Sequence, residues 1–135
     1  MRLFLDSSVL LAACGSPRGA SRALVVTSRE PVVLITSDWC LAEVERNLPG
    51  LGAGARRAWR RILPRLRVVR TEVVLDRPLA FGVAKDKPVL VGALAAGCET
   101  LLTLDQADFG KRLGRQVYGL RLMSPGEWLA DNGRG

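Results

Sequence analysis

MRLFLDSSVLLAA (residues 1–13) decides the fold. Four residues, Arg2–Leu5, are mostly apolar and read as a buried strand. Asp6 closes that strand, and two serines hand the chain to a second apolar run with helical character. A carboxylate at a buried strand end is costly, because an uncompensated charge loses several kcal/mol of hydration there unless donors or a cation meet it. Asp6 is therefore a candidate functional group, and the rest of the chain is read for carboxylates at similar junctions.

Working outward, Ser7 or Ser8 is expected to cap a helix over SSVLLAACG (7–15), and ASRALVVTSRE (20–30) reads as another helix. PVVLITS (31–37) is a second buried strand. SDWCLAEVERNLPG (37–50) is a helix with Ser37 or Asp38 as cap, Leu41, Val44 and Leu48 at helical spacing, and a Pro49-Gly50 stop. GAGARRAWRRILPRL (52–66) is a further helix. LRVVRTEVV (66–74) is a third strand, and DRPLAFGVA (76–84) is a loop or short helix. DKPVLVGALAAGC (86–98) carries an Asp cap, an early Pro and a terminal Gly97. TLLTLD (100–105) is a strand, DQADFGKRLG (105–114) a loop with a short helix, YGLRLMS (118–124) a last strand and SPGEWLA (124–130) a closing helical turn. Nearly all-apolar strands alternating with helices indicate an α/β fold with a central, mostly parallel sheet covered on both faces.

The chain has 135 residues, enough for one domain with a real core and too few for two. Residues 1–130 are expected to form that domain, with DNGRG (131–135) as a disordered tip. With 48% hydrophobic and 24% charged residues, the composition is that of a globular protein. No apolar run reaches the length of a membrane span, and the first residues do not read as a secretory signal, so no membrane partner is expected. Cys14, Cys40 and Cys98 are odd in number and set among apolar neighbours. They read as core residues in a reducing cytoplasm and not as a disulfide or zinc framework. Lys and Arg total 20 against 13 Asp and Glu, a net charge of +7 that points to a polyanionic partner. There is no histidine, which excludes Ser-His-Asp and Cys-His catalysis and imidazole-bound zinc.

Open parallel sheets build their sites outside the carboxyl ends of the strands. Asp6 and Asp105 both stand at such ends, Glu43 lies one turn into the helix after the second strand, Asp86 opens a helix, and Asp108 follows Asp105 by three residues. Each has an ordinary explanation taken singly: Asp86 as a helix cap, Asp105 and Asp108 as turn formers, Glu43 as a solvated residue, Asp6 as the partner of an arginine. Gathered at one sheet edge, they repel unless a cation intervenes. Oxygen ligands without His or thiolate select Mg²⁺ or Mn²⁺, and a carboxylate-held divalent ion beside a basic surface suits phosphodiester hydrolysis. Arg56, Arg57, Arg60 and Arg61 fall on one helix face and are candidates for phosphate contacts, as are Lys85 and Lys87 beside Asp86. Trp39, Trp59 and Trp128 read as core residues.

The ordered set D-S-S (6–8), a mid-chain helical Glu in LAEVERNL (41–48), D-x-P before an apolar helix (86–88) and L-L-T-x-D (101–105) resembles the PIN-domain ribonucleases, including VapC-type toxins of toxin–antitoxin pairs. The resemblance covers nearly the whole chain, with 50–83 unmatched. It implies a PIN-like three-layer α/β/α fold and a Mg²⁺- or Mn²⁺-dependent endonuclease of single-stranded RNA. Asp6, Glu43, Asp86 and Asp105 then occupy the four acidic catalytic and metal positions. Asp108 matches an auxiliary acidic position, and Ser7 and Thr103 match supporting hydroxyls. An antitoxin protein partner and a homodimer are implied likewise. The competing readings are a non-catalytic PIN-like module binding RNA or protein, and an RNA-processing nuclease outside toxin–antitoxin systems. A receiver-like or haloacid-dehalogenase-type phosphoryl-transfer domain is disfavoured, since D-S-S lacks the second Asp of a D-x-D motif.

Overall fold

A computed structural model of the chain describes residues 1–70, 86–104, 116–117 and 119–132, with backbone alone for 86–88 and 116–117. Six strands form one sheet among the described residues: β1 (Arg2–Leu5), β2 (Val33–Ser37), β3 (Arg67–Val69), β4 (Thr100–Leu102), β5 (Gln116–Val117) and β6 (Leu120–Met123). Their order is β3-β2-β1-β4-β6-β5, parallel throughout except for β5, which runs antiparallel to β6. β1 is thus central. Its residues Leu3, Phe4 and Leu5 are fully buried, as a strand covered on both faces requires.

The alternation along β1 separates two helical layers. Leu3 and Leu5 join a core with α1 (Ser7–Gly15), α2 (Ala20–Thr27), α4 (Ala53–Ile62) and Trp128 of α6 (Pro125–Asn132). Phe4 joins a second core on the opposite face with Ile35, Leu101 and α5 (Asp86–Ala95). α5 approaches the sheet closely at Gly92, where a Cβ would stand 3.3 Å from the Phe4 ring and 3.5 Å from Ser37 Cβ. α3 (Asp38–Asn47) belongs to both layers, with Cys40 in the second core and Val44 in the first. It therefore lies across the carboxyl ends of the central strands. The expected three-layer α/β/α architecture is the one observed.

Local chemistry accounts for the element ends. Ser37 caps α3 by accepting from the Cys40 N–H at 3.2 Å. Gly97, at φ +69°, ends α5 in the left-handed conformation. Ser124 and Glu127 form a reciprocal capping box at α6, Ser124 N–H to Glu127 Oε1 at 2.9 Å and Glu127 N–H to Ser124 Oγ at 3.1 Å. α6 consequently extends through Asn132, so residues 131 and 132 of the expected disordered tip are helical, and 133–135 lie outside the described residues. Trp59 and Trp128 are buried, and Trp39 is half-buried against the second core. The three cysteines are free and buried. Burial is the main cause that pushes Cys14 and Cys40 up to about 11 and Cys98 to about 12, as inert core thiols require.

One expectation fails at the start of α1. The cap is Asp6 and not Ser7 or Ser8: its carboxylate accepts from the Ser7 N–H, while the two serines are already helical. All three residues are good caps, and the extended backbone at Asp6 (φ −68°, ψ 156°) assigns the position to it.

Candidate active site

β1 ends at Leu5, and the Asp6 N–H still bonds the Leu102 carbonyl of β4 at 3.0 Å, so the carboxylate is held at the strand end. Asp6 is 5% exposed. Hydroxyl and amide donors replace the water it has lost. Oδ1 accepts from Ser7 N–H at 2.8 Å, and Oδ2 accepts from Thr103 Oγ1 at 2.8 Å and Ser8 Oγ at 3.1 Å. Such an array solvates a buried carboxylate.

Ser7 links the first carboxylate to a second. Its Oγ lies 3.0 Å from Glu43 Oε1 and 3.4 Å from Asp6 Oδ1. One hydroxyl proton serves one acceptor at a time, and the shorter contact gives it to Glu43. Because α3 crosses the strand ends, Glu43 is half-buried and reaches the same sheet edge as Asp6, through Ser7, which lies 36 residues before it. Asp6 and Glu43 are thus brought to one hydroxyl, that of Ser7, and Thr103 bonds Asp6 from the far side of the chain.

Ser8 is the site residue that sequence reasoning missed. It donates to Asp6 Oδ2, accepts the Leu104 N–H at 3.1 Å and lies 3.5 Å from Thr103 Oγ1. It therefore ties the first turn of α1 to the chain leaving β4. The only signal available was its adjacency to Asp6, and reading it as a cap used that signal up.

α5 begins at Asp86 and its last turn leads into β4, so it runs against the strands and its first residue belongs to the carboxyl edge. The side chains of Asp86 and Lys87, and residues Lys85, Asp105 and Asp108 altogether, lie outside the described residues. Among the described residues no group of three or more His, Cys, Asp or Glu gathers into a metal-binding cluster. What is described is a pair of carboxylates with hydroxyls, a donor set of hard oxygens only, which fits Mg²⁺ or Mn²⁺ and not a thiophilic metal.

Arg56, Arg57, Arg60 and Arg61 of α4 are exposed, while Ala55, Ala58, Trp59 and Ile62 are buried. The four arginines do not all share one flank of α4: Arg57 and Arg61 face a cavity beside α1 and α2 that Arg56 and Arg60 do not line, since helical positions four apart align and adjacent ones do not.

No family model and no curated protein sequence matches the chain. Solved structures do match in fold. A chain from the structure of VapBC2 of Rickettsia felis, bound to a DNA fragment from their promoter, is 15% identical over 92% of this chain and 98% of its own, with a TM-score of 0.66. A chain from the structure of VapBC-1 of nontypeable Haemophilus influenzae is 15% identical over 93% and 99%, with a TM-score of 0.61. The fold is thus shared with chains of VapBC assemblies along almost its full length.

Proposed function

We propose that the protein is a divalent-metal-dependent endoribonuclease of single-stranded RNA, acting as the toxin of a toxin–antitoxin pair. The observation that carries this reading is the convergence of Asp6 and Glu43, bridged by Ser7 Oγ at the carboxyl edge of a parallel sheet. Two acidic groups that share one hydroxyl make a local concentration of hard oxygen donors. A divalent cation is the species that such a site favours.

Asp6, Asp86 and Asp105 would hold Mg²⁺ or Mn²⁺, with Glu43 completing the set and Asp108 as an auxiliary acid. When bound, the cation supplies an activated water and neutralises charge developing on the phosphate. The chain's own residues do the positioning. Thr103 and Ser8 fix Oδ2 of Asp6, Ser7 N–H fixes Oδ1, and the Ser7 hydroxyl orients Glu43. Arg56, Arg57, Arg60, Arg61, Lys85 and Lys87 are the residues proposed to hold RNA phosphates, in keeping with the net charge of +7. The fold shared with chains of VapBC structures supports an antitoxin partner, a small protein whose basic tail would cover the acidic edge.

The test is a single-stranded RNA cleavage assay with Mn²⁺. Asp6→Asn and Glu43→Gln are each expected to lower the rate at least about a hundredfold, while circular dichroism stays native. EDTA should stop the wild type. Cleavage that persists in both variants, or calorimetry showing no Mn²⁺ uptake by the wild type, overturns the reading.

A further inference from the structure

A cavity of about 720 Å³ opens between α2 and α4 over the last turn of α1. Four arginines line it, Arg22, Arg57, Arg61 and Arg65, with no Asp or Glu among the described lining residues. Arg57, Arg61 and Arg65 succeed one another at intervals of four, continuing from α4 into the 3₁₀ turn Leu63–Arg65. That spacing makes a line of guanidinium groups at roughly one helical pitch, about 5.4 Å. Arg22 is fixed in place, since its Nε donates to the Ala13 carbonyl and its Nη2 to Cys14 O at 3.3 Å, satisfying the end of α1. Arg57 and Arg61 are exposed and make no hydrogen bond or ion pair among the described residues. The exposed aliphatic side chains of Val26 and Leu51 complete the rim.

This trough is not at the carboxylate edge. α1 starts beside Asp6 and ends at Gly15 in the trough, nine residues or about 13 Å away. Arg56 and Arg60, on the other flank of α4, do not line it. We propose that the trough is a second RNA-contact site, remote from the cleaved bond, that takes consecutive phosphates of a single strand passing along α1. The inference rests on the nuclease reading and adds to it a division of labour within the basic face. Guanidinium forks match phosphates bidentately, a line of them tracks a backbone, and the aliphatic rim gives ribose and base faces a surface to lie on. An acidic protein segment is the competing occupant.

The experiment uses the full chain carrying Asp6→Asn, so that RNA is bound and not cut, with mixed-sequence single-stranded RNA of 4 and 16 nucleotides. Arg57→Gln/Arg61→Gln is expected to weaken 16-mer binding roughly tenfold, and to make the dependence of log K on log salt shallower by about 1.4, two contacts at 0.7 each. The loss should be several times smaller for the 4-mer, and several times smaller with Arg56→Gln/Arg60→Gln. Arg22 is left alone, because removing it strips the end of α1. Equal losses from both arginine pairs, or unchanged 16-mer binding while the wild type still cleaves RNA, overturns the proposal and spares the nuclease reading. Unchanged RNA binding together with lost retention of a glutamate-rich aliphatic peptide assigns the trough to protein instead. A wild type that neither binds nor cuts RNA defeats both readings.

Discussion

Ser7 Oγ has one proton and two carboxylates within reach, so its removal is felt at Glu43 before it is felt at Asp6. Ser7→Ala should leave Asp6 its backbone donor and free Glu43 to turn outward. The expected outcome is a 10- to 100-fold loss of cleavage or Mn²⁺ affinity, on the scale of residues that orient metal ligands, with a melting temperature little changed. Thr103→Val is the opposite case. It keeps the shape and strips the shortest hydroxyl donor from a buried carboxylate, so it should destabilise the fold by about 1–3 kcal/mol in urea unfolding. At this scale Asp6 was named by its place at a buried strand end and Glu43 by its place in the helix after the second strand, whereas Ser7 and Thr103 came as site residues only from the family resemblance. Sequence alone could not separate three neighbouring capping candidates in D-S-S. Backbone angles, and a hydrogen bond to Leu104 that is 96 residues distant, decide among them.

Helix α5 rests on the sheet through Gly92. A branched side chain there would meet the Phe4 ring and Ser37, and Ser37 also caps α3, so the clash would spread to the helix that carries Glu43. Gly92→Val is expected to cost about 1–3 kcal/mol by overpacking and to lower activity as well, read by denaturation and cleavage together. At α6, Ser124→Ala removes one half of the capping box and should cost about 1 kcal/mol. The helices and the central strands were legible from apolar runs bounded by Ser, Asp, Pro and Gly. Two edges were not. β5 has two residues, too few to show any period, and it pairs with β6 next to Gly119 at φ +82°. β3 is described for three residues where a longer strand was expected, and residues 71–74 of that expectation lie outside the described residues. The trough was invisible for another reason: its arginines come from α2, α4 and the turn after α4, and nothing in linear spacing relates Arg22 to Arg57.

For the molecule as a whole, the buried thiols link stability to alkaline pH. Their pKa values are raised on folding from 9.0 to about 11 or 12, so the unfolded chain gives up these protons first. The contribution is fully present below about pH 9 and is lost as pH rises through the folded values. Native protein at pH 8 should react slowly with a thiol reagent and all three cysteines quickly in urea, and the urea midpoint should fall between pH 8 and 10. Rapid labelling of the native protein would contradict the burial described here.

β1 lies inside the sheet and precedes its other strands in the chain, yet one of the hydroxyls that hold Asp6 lies 97 residues further on. A nascent polypeptide therefore carries Asp6 and its local Ser7 and Ser8 donors long before Thr103 completes the set. Closing so distant a contact is slow and cooperative with completion of β4 and β6. Fragments ending before Thr103 lack β6 and that donor, and under the nuclease reading proposed above they should not cleave RNA.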